Sequence, residues 1–557
     1  MAGEPQARSR PAMSGTAVTA PDAPATATAD AGRFSRSRLT ASVLFWIAFG
    51  LVIVAQLWVI VPGFTVMRLW EDEAFNLTVP INLLNGLGYT SDGTLSGSQL
   101  APFDPRISTG PVVLLPIAAV LALGVDPVIG GRAVMLLFYA ALLVGLWLLG
   151  RRIAGRWAGL VAVTVPLGLN TWDSASPIQT PIDILGEVPT AAFIVWALYV
   201  YRTRPWLAGL LVGLALESKA IGLLAVPAIA VGAFFTVPGS PLLRRFWRVL
   251  FCGVFALVPI LLVELWKILA LGFGGWVNVT REFWYFLRSG GQGDAQVAPA
   301  SKMIGLFDSW FSPVPLTVSV VAAFIAVGVL VLVLARRRML PIARQADLAP
   351  ERNATSAAAT EASARELLVL LSATLVGLAT WLGWWMVSSH LPVWIRHPSP
   401  GLFACVPVLA AFFVLGIRLL WRATPALRAW RMGLRAVAVA ASVLLATTLV
   451  VQVRGHIGIA DHVRYGETLG AQRAAAAEIA GLGEEQFASS WGPEISVVVL
   501  SGARAALTDA PGFEVTTRVY ANYDRSEAGL AAFETALESA CADIPLRTGV
   551  YAVCVPG

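Results

Sequence analysis

Long apolar runs recur along the chain, separated by short polar segments. The first run, Leu39 to Val61, carries no charged side chain, and an α-helix needs ~20 apolar residues to cross a bilayer. Later runs reach or approach this length. The pattern predicts a polytopic α-helical membrane protein with about 11 transmembrane helices, near residues 40–62, 131–150, 157–171, 187–202, 206–218, 220–236, 248–271, 313–334, 366–386, 400–417 and 434–452.

The positions of the arginine clusters indicate the topology. Because basic loops stay in the cytoplasm, the N-terminus and six Arg-rich segments are predicted to be cytoplasmic: 33–38, 151–156, 201–204, 244–248, 336–338 and 418–431. The apolar run 109–125 would reverse this parity if it crossed the membrane. We therefore predict that it lies along the membrane, within a long first external loop at residues 63–130. A short span that is compensated elsewhere is the alternative.

Composition divides the chain into three parts. Residues 1–38 are rich in Ala, Pro, Thr and Ser and are predicted to be a disordered cytoplasmic tail. Residues 39–453 form the transmembrane part, and residues 454–557 are predicted to be a small extracytoplasmic α/β domain. In that domain the patterns predict helices at 466–482 and 526–540, and strands at 495–502, 513–523 and 549–555.

Overall composition excludes several classes of protein. Of the 557 residues only 13% are charged, against about a quarter in a soluble protein. The net charge of +6 is accounted for by the cytoplasmic arginines, so we expect no nucleic-acid partner.

No nucleotide-binding GxGxxG or GxxxxGKS/T motif stands in a suitable context. Four cysteines are too few for a disulfide framework, and pairing of Cys541 with Cys554 stays open.

Three consecutive carboxylates, Glu71, Asp72 and Glu73, follow the first span directly. Adjacent like charges repel, so the cluster has a cost that a simple membrane anchor would avoid. Asp72 facing a cleft could act as a general base on an acceptor hydroxyl or amine, with Glu73 orienting it or holding a cation. The alternative is a solvated charge patch, and Glu71 is the member that we expect to remain in solvent.

A second acidic group lies in the predicted external loop at residues 171–189, where three prolines favour turns over one helix. It comprises Asp173, Asp183 and Glu187. Together with the first loop, these acids could bind a divalent cation or position the hydroxyls of a substrate. A solvated loop is an equally good reading.

Cationic side chains occupy other external turns. Lys219 lies between two short apolar runs, where charge is costly and usually functional, although a snorkelling lysine is the alternative. Arg396 and His397 follow a later span, and an arginine there could bind a phosphate in a bidentate way. Arg281 and Arg288, with aromatic residues between them, suit a lipid headgroup.

Five segments in this order resemble the GT-C glycosyltransferases, in the branch that contains protein O-mannosyltransferases and the lipid A aminoarabinose transferase. They are EDEAFNLTVPINLLNGLGYT, GRAVMLLFYAALLVGLWLLGRRIAGRWAGLVAV, DILGEVPTAAFIVWALYVY, GLLVGLALESKAIGLLAVPA and RHPSPGLFACVPVLA, and they cover roughly residues 40–420. Two departures concern the donor: ESK replaces the more usual small residue or Thr before Lys219, and His397 replaces the common Tyr.

The resemblance implies a GT-C-like fold and a glycosyltransferase that uses a sugar on a polyprenyl phosphate in the outer leaflet. It implies Asp72 as the base, Glu73 as its partner, and Lys219, Arg396 and His397 near the lipid phosphate. The acceptor would be an extracytoplasmic protein, polysaccharide or glycolipid, and direct displacement would invert the anomeric carbon. No cofactor is implied with certainty, and a divalent metal stays open. Arg-rich, Ala-rich composition favours a bacterial inner membrane.

Two functions of other classes remain alternatives. A flippase for polyprenyl-linked sugars would also need charges at the lipid interface, but it should place them on both faces of the membrane. A scaffold that binds wall polymers through its C-terminal domain would need no base at all. Because the acids gather on the predicted external side, the sequence favours the enzyme.

Overall fold

A bundle of apolar helices makes up most of the protein, which we describe from a computed structural model. The structure describes residues 27–93, 99–169, 180–236, 239–289, 298–310, parts of 320–330, 357–388, 396–423, 427–461, 467–507 and 517–557. Residues 1–51 and 52–557 are two compact units. The first helix, α1 (Ala27–Thr65), runs through both units, and the candidate site lies wholly in the second.

Six helices in the described part of the chain are long and apolar enough to cross a membrane. Their apolar stretches are Leu39–Thr65, Pro127–Ala154, Leu242–Leu287, Ala364–Val387, Ser399–Arg422 and Arg428–Gly458. The prediction of a polytopic α-helical membrane protein is therefore confirmed. The number of crossings stays a prediction, because several of the intervening helices are short. The span predicted at 313–334 lies mostly outside the described residues.

The helices after α1 include predicted spans in their predicted order, with additional helices between them. They are α2 (Glu71–Leu84), α3 (Pro111–Leu121), α4 (Pro127–Ala154), α5 (Arg156–Gly168), α6 (Glu187–Val200), α7 (Pro205–Ser218), α8 (Val226–Phe235), α9 (Leu242–Ser289), α10 (Pro299–Trp310), α11 (Ala357–Val387), α12 (Ser399–Arg422) and α13 (Arg428–Asp461). A 3-10 helix at Ala220–Ala225 joins α7 to α8. The run 109–125 forms α3, whose 11 residues extend about 16 Å, half the ~30 Å of a bilayer core.

Three predicted boundaries differ from the structure. Helix α1 begins at Ala27, so residues 27–38 are helical and not disordered, because extending an existing helix is far easier than nucleating one. Helix α9 continues past the predicted span end at 271, with left-handed Gly272 (φ 68°) at a kink. Helix α13 ends at Asp461, so the α/β domain begins later than the predicted residue 454.

The C-terminal domain is an α/β unit, as predicted. Its helices are α14 (Leu469–Ala480), α15 (Pro493–Leu500) and α16 (Glu527–Ala540), and its strands are β3 (Gln486–Ser489), β4 (Arg504–Leu507), β5 (Arg518–Ala521), β6 (Cys541–Thr548) and β7 (Tyr551–Pro556). The strand order is β4-β3-β5-β7-β6, and β3 is parallel to both neighbours. A disulfide joins Cys541 to Cys554, which answers the open question of their pairing. A short hairpin, β1 (Thr90–Ser91) and β2 (Ala101–Pro102), lies in the first loop.

One element of this domain was predicted wrongly. Residues 495–502 have the β-branched, apolar composition of a strand, but they lie mostly in helix α15. The reason is topological. The flanking strands β3 and β4 pair in parallel, and parallel neighbours need a crossover connection, which is usually a helix. Burial on the sheet therefore overrides the local preference.

Candidate active site

The three consecutive acids occupy the first turn of α2. Negative side chains are stabilised at a helix N-terminus by the free N–H groups and the helix dipole, which explains why the charges can cluster there. Each carboxylate points to a different cation. Glu71 accepts from Arg68 at 2.9 Å, Asp72 pairs with Arg396, and Glu73 pairs with Arg132 in α4.

Glu73 is fully buried and bonded entirely to protein groups. Arg132 donates to both of its oxygens, at 3.0 and 2.6 Å. The backbone N–H groups of Trp70 and Ile184 donate to it at 3.1 and 3.0 Å. The carboxylate thus ties the start of α2 to α4 and to the loop before α6. Among the described residues, no hydrogen bond joins Glu73 to Asp72, and the predicted role of Glu73 in orienting Asp72 stays a prediction.

Asp72 is half-buried and faces the start of α12, where Arg396 donates to its Oδ2. The guanidinium of Arg396 lies over the indole ring of Trp70, 5.1 Å from the centroid, and its Nε is 3.7 Å from Oε1 of Glu187. A cation held against an aromatic face is fixed in orientation. Arg396 therefore lies between two carboxylates that come from different elements.

Lys219 completes the group from the opposite side. Its Nζ donates to Glu187 at 2.7 Å and to Ser108 Oγ at 3.2 Å. The backbone of Lys219 is extended (φ −160°, ψ 126°) and separates α7 from the 3-10 helix. The turn packs so closely on Gly186 that a Cβ there would lie 2.4 Å from the Ser218 carbonyl oxygen.

Asp72, Arg396, Glu187 and Lys219 thus form a chain of alternating charge, which we call the ionic quartet. Burial raises the pKa of Asp72, an effect that Arg396 opposes. Burial lowers the pKa of Lys219, and Glu187 opposes that shift. Oε2 of Glu187 is buried with no hydrogen-bond partner among the described residues. Two anions balance two cations in the quartet, so an incoming anion that binds to Arg396 or Lys219 must displace a carboxylate from it.

The two described acids of the second loop, Asp183 and Glu187, have different hydrogen-bond partners. Asp183 accepts from the hydroxyl of Thr180 at 2.7 Å, whereas Glu187 belongs to the ionic quartet, and Asp173 lies outside the described residues. In the described part of the chain, no three His, Cys, Asp or Glu side chains group closely enough to hold a metal ion. The geometry therefore offers Asp183 and Glu187 separate roles.

Two of the remaining predicted cations, His397 and Arg281, contact residues outside the quartet. The ring of His397 stacks on Trp384, with 6.4 Å between centroids and 5° between planes. Arg281 is exposed and donates to Asn278 in the same helix at 3.1 Å. The side chain of Arg288 lies outside the described residues. A role for these three in binding the donor stays a prediction.

Two residues of the site were not found from the sequence. Arg132 is buried in α4 and donates to backbone carbonyls of the α1–α2 connection as well as to Glu73, including Met67 and Arg68 at 2.9 Å. Asn76 donates to Thr109 Oγ1 at 3.0 Å and to the Ile184 carbonyl at 2.7 Å. Arg132 could have been noticed because it is a single arginine within an apolar run. Nothing in the sequence around Asn76 marks it as a site residue.

The C-terminal domain also holds the segment that leads into α2. The side-chain amide of Gln472 bonds both peptide groups of Leu69: it accepts from the N–H at 2.9 Å and donates to the carbonyl at 3.2 Å. Beside this contact, Met67 and Thr468 form an antiparallel bridge. The domain is therefore packed directly against the turn that presents Asp72.

We expect thermal stability to fall as the pH rises from about 4 to about 7. Burial, with Glu73 adding to it, raises the pKa of Asp183 from an ordinary 3.8 to about 7. A carboxyl group whose pKa is higher in the folded state binds more protons there than when unfolded. Its stabilising contribution is present below the unfolded pKa and is lost as the pH passes the folded one. Melting temperatures of the Asp183→Asn variant should vary less with pH than those of the wild type, and equal slopes would contradict this assignment.

The helical bundle and its α/β domain share the fold of solved ArnT structures, which confirms the GT-C-like fold that the five motifs indicated. A family model described as dolichyl-phosphate-mannose-protein mannosyltransferase matches residues 108–266. Among curated proteins, none matches the sequence.

Solved structures show the same fold over nearly the whole chain. ArnT from Cupriavidus metallidurans in the apo state is 12% identical, with a TM-score of 0.50 over 92% of this chain and 98% of that one. ArnT bound to undecaprenyl phosphate is 13% identical, with a TM-score of 0.51 over the same shares. The Archaeoglobus fulgidus oligosaccharyltransferase is 11% identical and matches with a TM-score of 0.45. The match covers 84% of this chain and 62% of that chain, and it is too distant to support an inference.

Proposed function

We propose that the protein is a membrane glycosyltransferase that moves a sugar from a polyprenyl phosphate to an extracytoplasmic acceptor, with inversion. The observation that carries this proposal is the ionic quartet, which combines a half-buried carboxylate with two buried cations at one place. The family model and the ArnT fold support the same class, and the structure of ArnT with undecaprenyl phosphate supports a lipid phosphate as part of the donor.

The cations stabilise the leaving group. When the bond between the anomeric carbon and the phosphate oxygen breaks, the polyprenyl phosphate carries away the electron pair and gains negative charge. Lys219 and Arg396, desolvated and held by neighbouring acids, bind that charge without reorganising. His397, the third cation predicted at the donor phosphate, follows Arg396 directly in the chain, and its ring stacks on Trp384.

Asp72 supplies the base on the acceptor side. It takes the proton of the acceptor hydroxyl as that oxygen attacks the anomeric carbon. Arg396 donates to this carboxylate. A donor phosphate competes for the same guanidinium, so donor binding releases Asp72 for proton transfer. One displacement by the acceptor, opposite to the leaving phosphate, inverts the anomeric centre.

The distribution of charge supports transfer over lipid flipping. Asp72, Glu187, Lys219 and Arg396 converge on one point at the end of the bundle that carries α2 and the α/β domain. A flippase would need such groups along a path through the membrane. The cytoplasmic placement of the arginine clusters puts this end of the bundle outside the cytoplasm. That orientation, in a bacterial inner membrane, is part of the proposal.

Sugar transfer by the full-length protein in lipid vesicles tests the proposal. Polyprenyl phosphates carrying different sugars would be supplied together with cell-envelope acceptors, and the products analysed by mass spectrometry. We expect the Lys219→Gln variant to lose about 100-fold or more in rate, as for removal of one group that stabilises developing charge. The Lys267→Gln variant is the control, since Lys267 pairs with Glu264 within α9 and should retain wild-type rates.

Two results would contradict the proposed function. One is that no polyprenyl-linked sugar reaches any acceptor with wild-type protein. The other is that Lys219→Gln transfers sugar as fast as Lys267→Gln.

A further inference from the structure

The C-terminal sheet contains a topological switch. Strands β4 and β5 both follow β3 in the chain, yet they lie on opposite sides of it and both pair with it in parallel. In open α/β sheets, such a reversal opens a crevice beyond the carboxyl ends of the strands, and ligands bind there. In this domain the strand order reverses between the end of β3 at Ser489 and the end of β5 at Ala521, so a ligand crevice is expected there.

This crevice faces the helix that carries Asp72. Trp491, just after β3, packs edge-on against Phe75 with 5.7 Å between ring centroids. The ring of Tyr523, just after β5, lies under the guanidinium of Arg68 at 6.0 Å. Phe75 follows Asp72 by three residues and so shares its side of α2. A ligand in the crevice would therefore lie about one helical turn from the proposed base.

Glu494, in the first turn of α15, joins the two strand ends. Its Oε1 accepts from Ser490 Oγ and from the Ala521 N–H, both at 3.2 Å. Its other oxygen, Oε2, is buried and has no hydrogen-bond partner within the described ranges. That oxygen lies toward Gly492, 2.6 Å from where a Cβ would be. A buried carboxylate oxygen without a donor is costly, and a ligand with donor groups would remove the cost.

We propose that this crevice binds the acceptor, and that the acceptor is a neutral, hydroxyl-rich carbohydrate. The inference rests on the proposed function and narrows its acceptor class. Sugar hydroxyls can donate to Glu494, and the apolar face of a sugar ring can pack on the half-buried indole of Trp491. Glu494 disfavours an anionic acceptor, because like charges close together in a poorly solvated site are strongly unfavourable, whereas Glu71 is balanced by its ion pair with Arg68.

Equilibrium binding by the full-length protein in nanodiscs, without donor, tests the crevice directly. The probes are end-labelled envelope polysaccharides, separated into a neutral and an anionic fraction. We expect the wild type to bind the neutral fraction in preference to the anionic fraction. Trp491→Ala and Glu494→Gln should each weaken binding about ten-fold, which is roughly 1.4 kcal/mol, with Trp491→Phe intermediate.

The control is Glu534→Gln, because Glu534 is exposed in the same domain and pairs with Arg547 at 2.6 Å. Should Trp491→Ala fail to fold, Trp491→Phe and Glu494→Gln still decide the result. Equal binding by Glu494→Gln and Glu534→Gln, or preference for the anionic fraction, would overturn the proposal.

Sugar transfer separates this inference from the proposed function. In the variants that weaken binding, we expect the KM for the acceptor to rise about ten-fold, while hydrolysis of the donor by water stays at the wild-type rate. Binding of the neutral fraction without any transfer would contradict the glycosyltransferase and support the crevice. Transfer without such binding would overturn the crevice alone.

Discussion

The Asp72→Asn variant is expected to lose sugar transfer by about 10²–10⁴-fold and yet to bind polyprenyl phosphate more tightly. The loss follows from removal of the base, since an amide cannot accept the acceptor proton. The gain follows from the ionic quartet. Arg396 pairs with Asp72, and a phosphate must displace that carboxylate. Without its charge the competition weakens, so we expect affinity to rise about ten-fold.

Both quantities can be measured on one preparation. Transfer is followed with a labelled donor, and binding of sugar-free polyprenyl phosphate is followed by calorimetry in detergent. The matched control is Asp126→Asn. Asp126 is exposed, pairs with Arg473 at 2.6 Å and caps α4, and Asn is an equally good cap. Weaker lipid binding by Asp72→Asn would show that Arg396 is not shared between carboxylate and phosphate.

Much of this architecture could be predicted because it follows from local physics. Apolar runs near bilayer length predicted the helices, and a carboxylate cluster after the first span predicted a site. The motif order identified the fold. Local sequence also predicted the helices α14 and α16 of the C-terminal domain, where the 3.6-residue periodicity is clear.

The pairing of charges could not be predicted, because it depends on contacts between distant parts of the chain. Asp72 and Arg396 are separated by 324 positions, and nothing in either neighbourhood specifies the other. The sequence also placed Glu73 beside Asp72 in function. Successive residues on a helix point about 100° apart, so Glu73 instead faces α4 and meets Arg132.

The same limit explains why the sequence does not predict that the C-terminal domain contacts the candidate site. Gln472 binds Leu69 across 403 positions, and residues 495–502 form a helix only because β3 and β4 lie in parallel. Three neighbouring acids thus serve three purposes: Glu71 pairs with Arg68 beside the α/β domain, Asp72 faces the proposed donor cations, and Glu73 anchors the helix.

The anchoring role predicts a large loss of stability in the Arg132→Met variant. This change leaves Glu73 buried without its cation, and breaking a buried ion pair from one side typically costs about 3–5 kcal/mol. Glu73 would keep only the two backbone N–H donors, and the α1–α2 connection would lose the donors that Arg132 supplies. We therefore expect a much lower unfolding temperature.

The double variant Glu73→Gln, Arg132→Met identifies the cause. If the penalty comes from an unpaired buried charge, neutralising both partners should recover much of the lost stability, because replacing a whole buried pair is often nearly neutral. The measurement is the unfolding midpoint of each protein in the same detergent, with Lys267→Gln as a charge-removing control on a partly exposed pair. A double variant no more stable than Arg132→Met alone would mean that the carbonyls of the α1–α2 connection, and not Glu73, are what Arg132 stabilises.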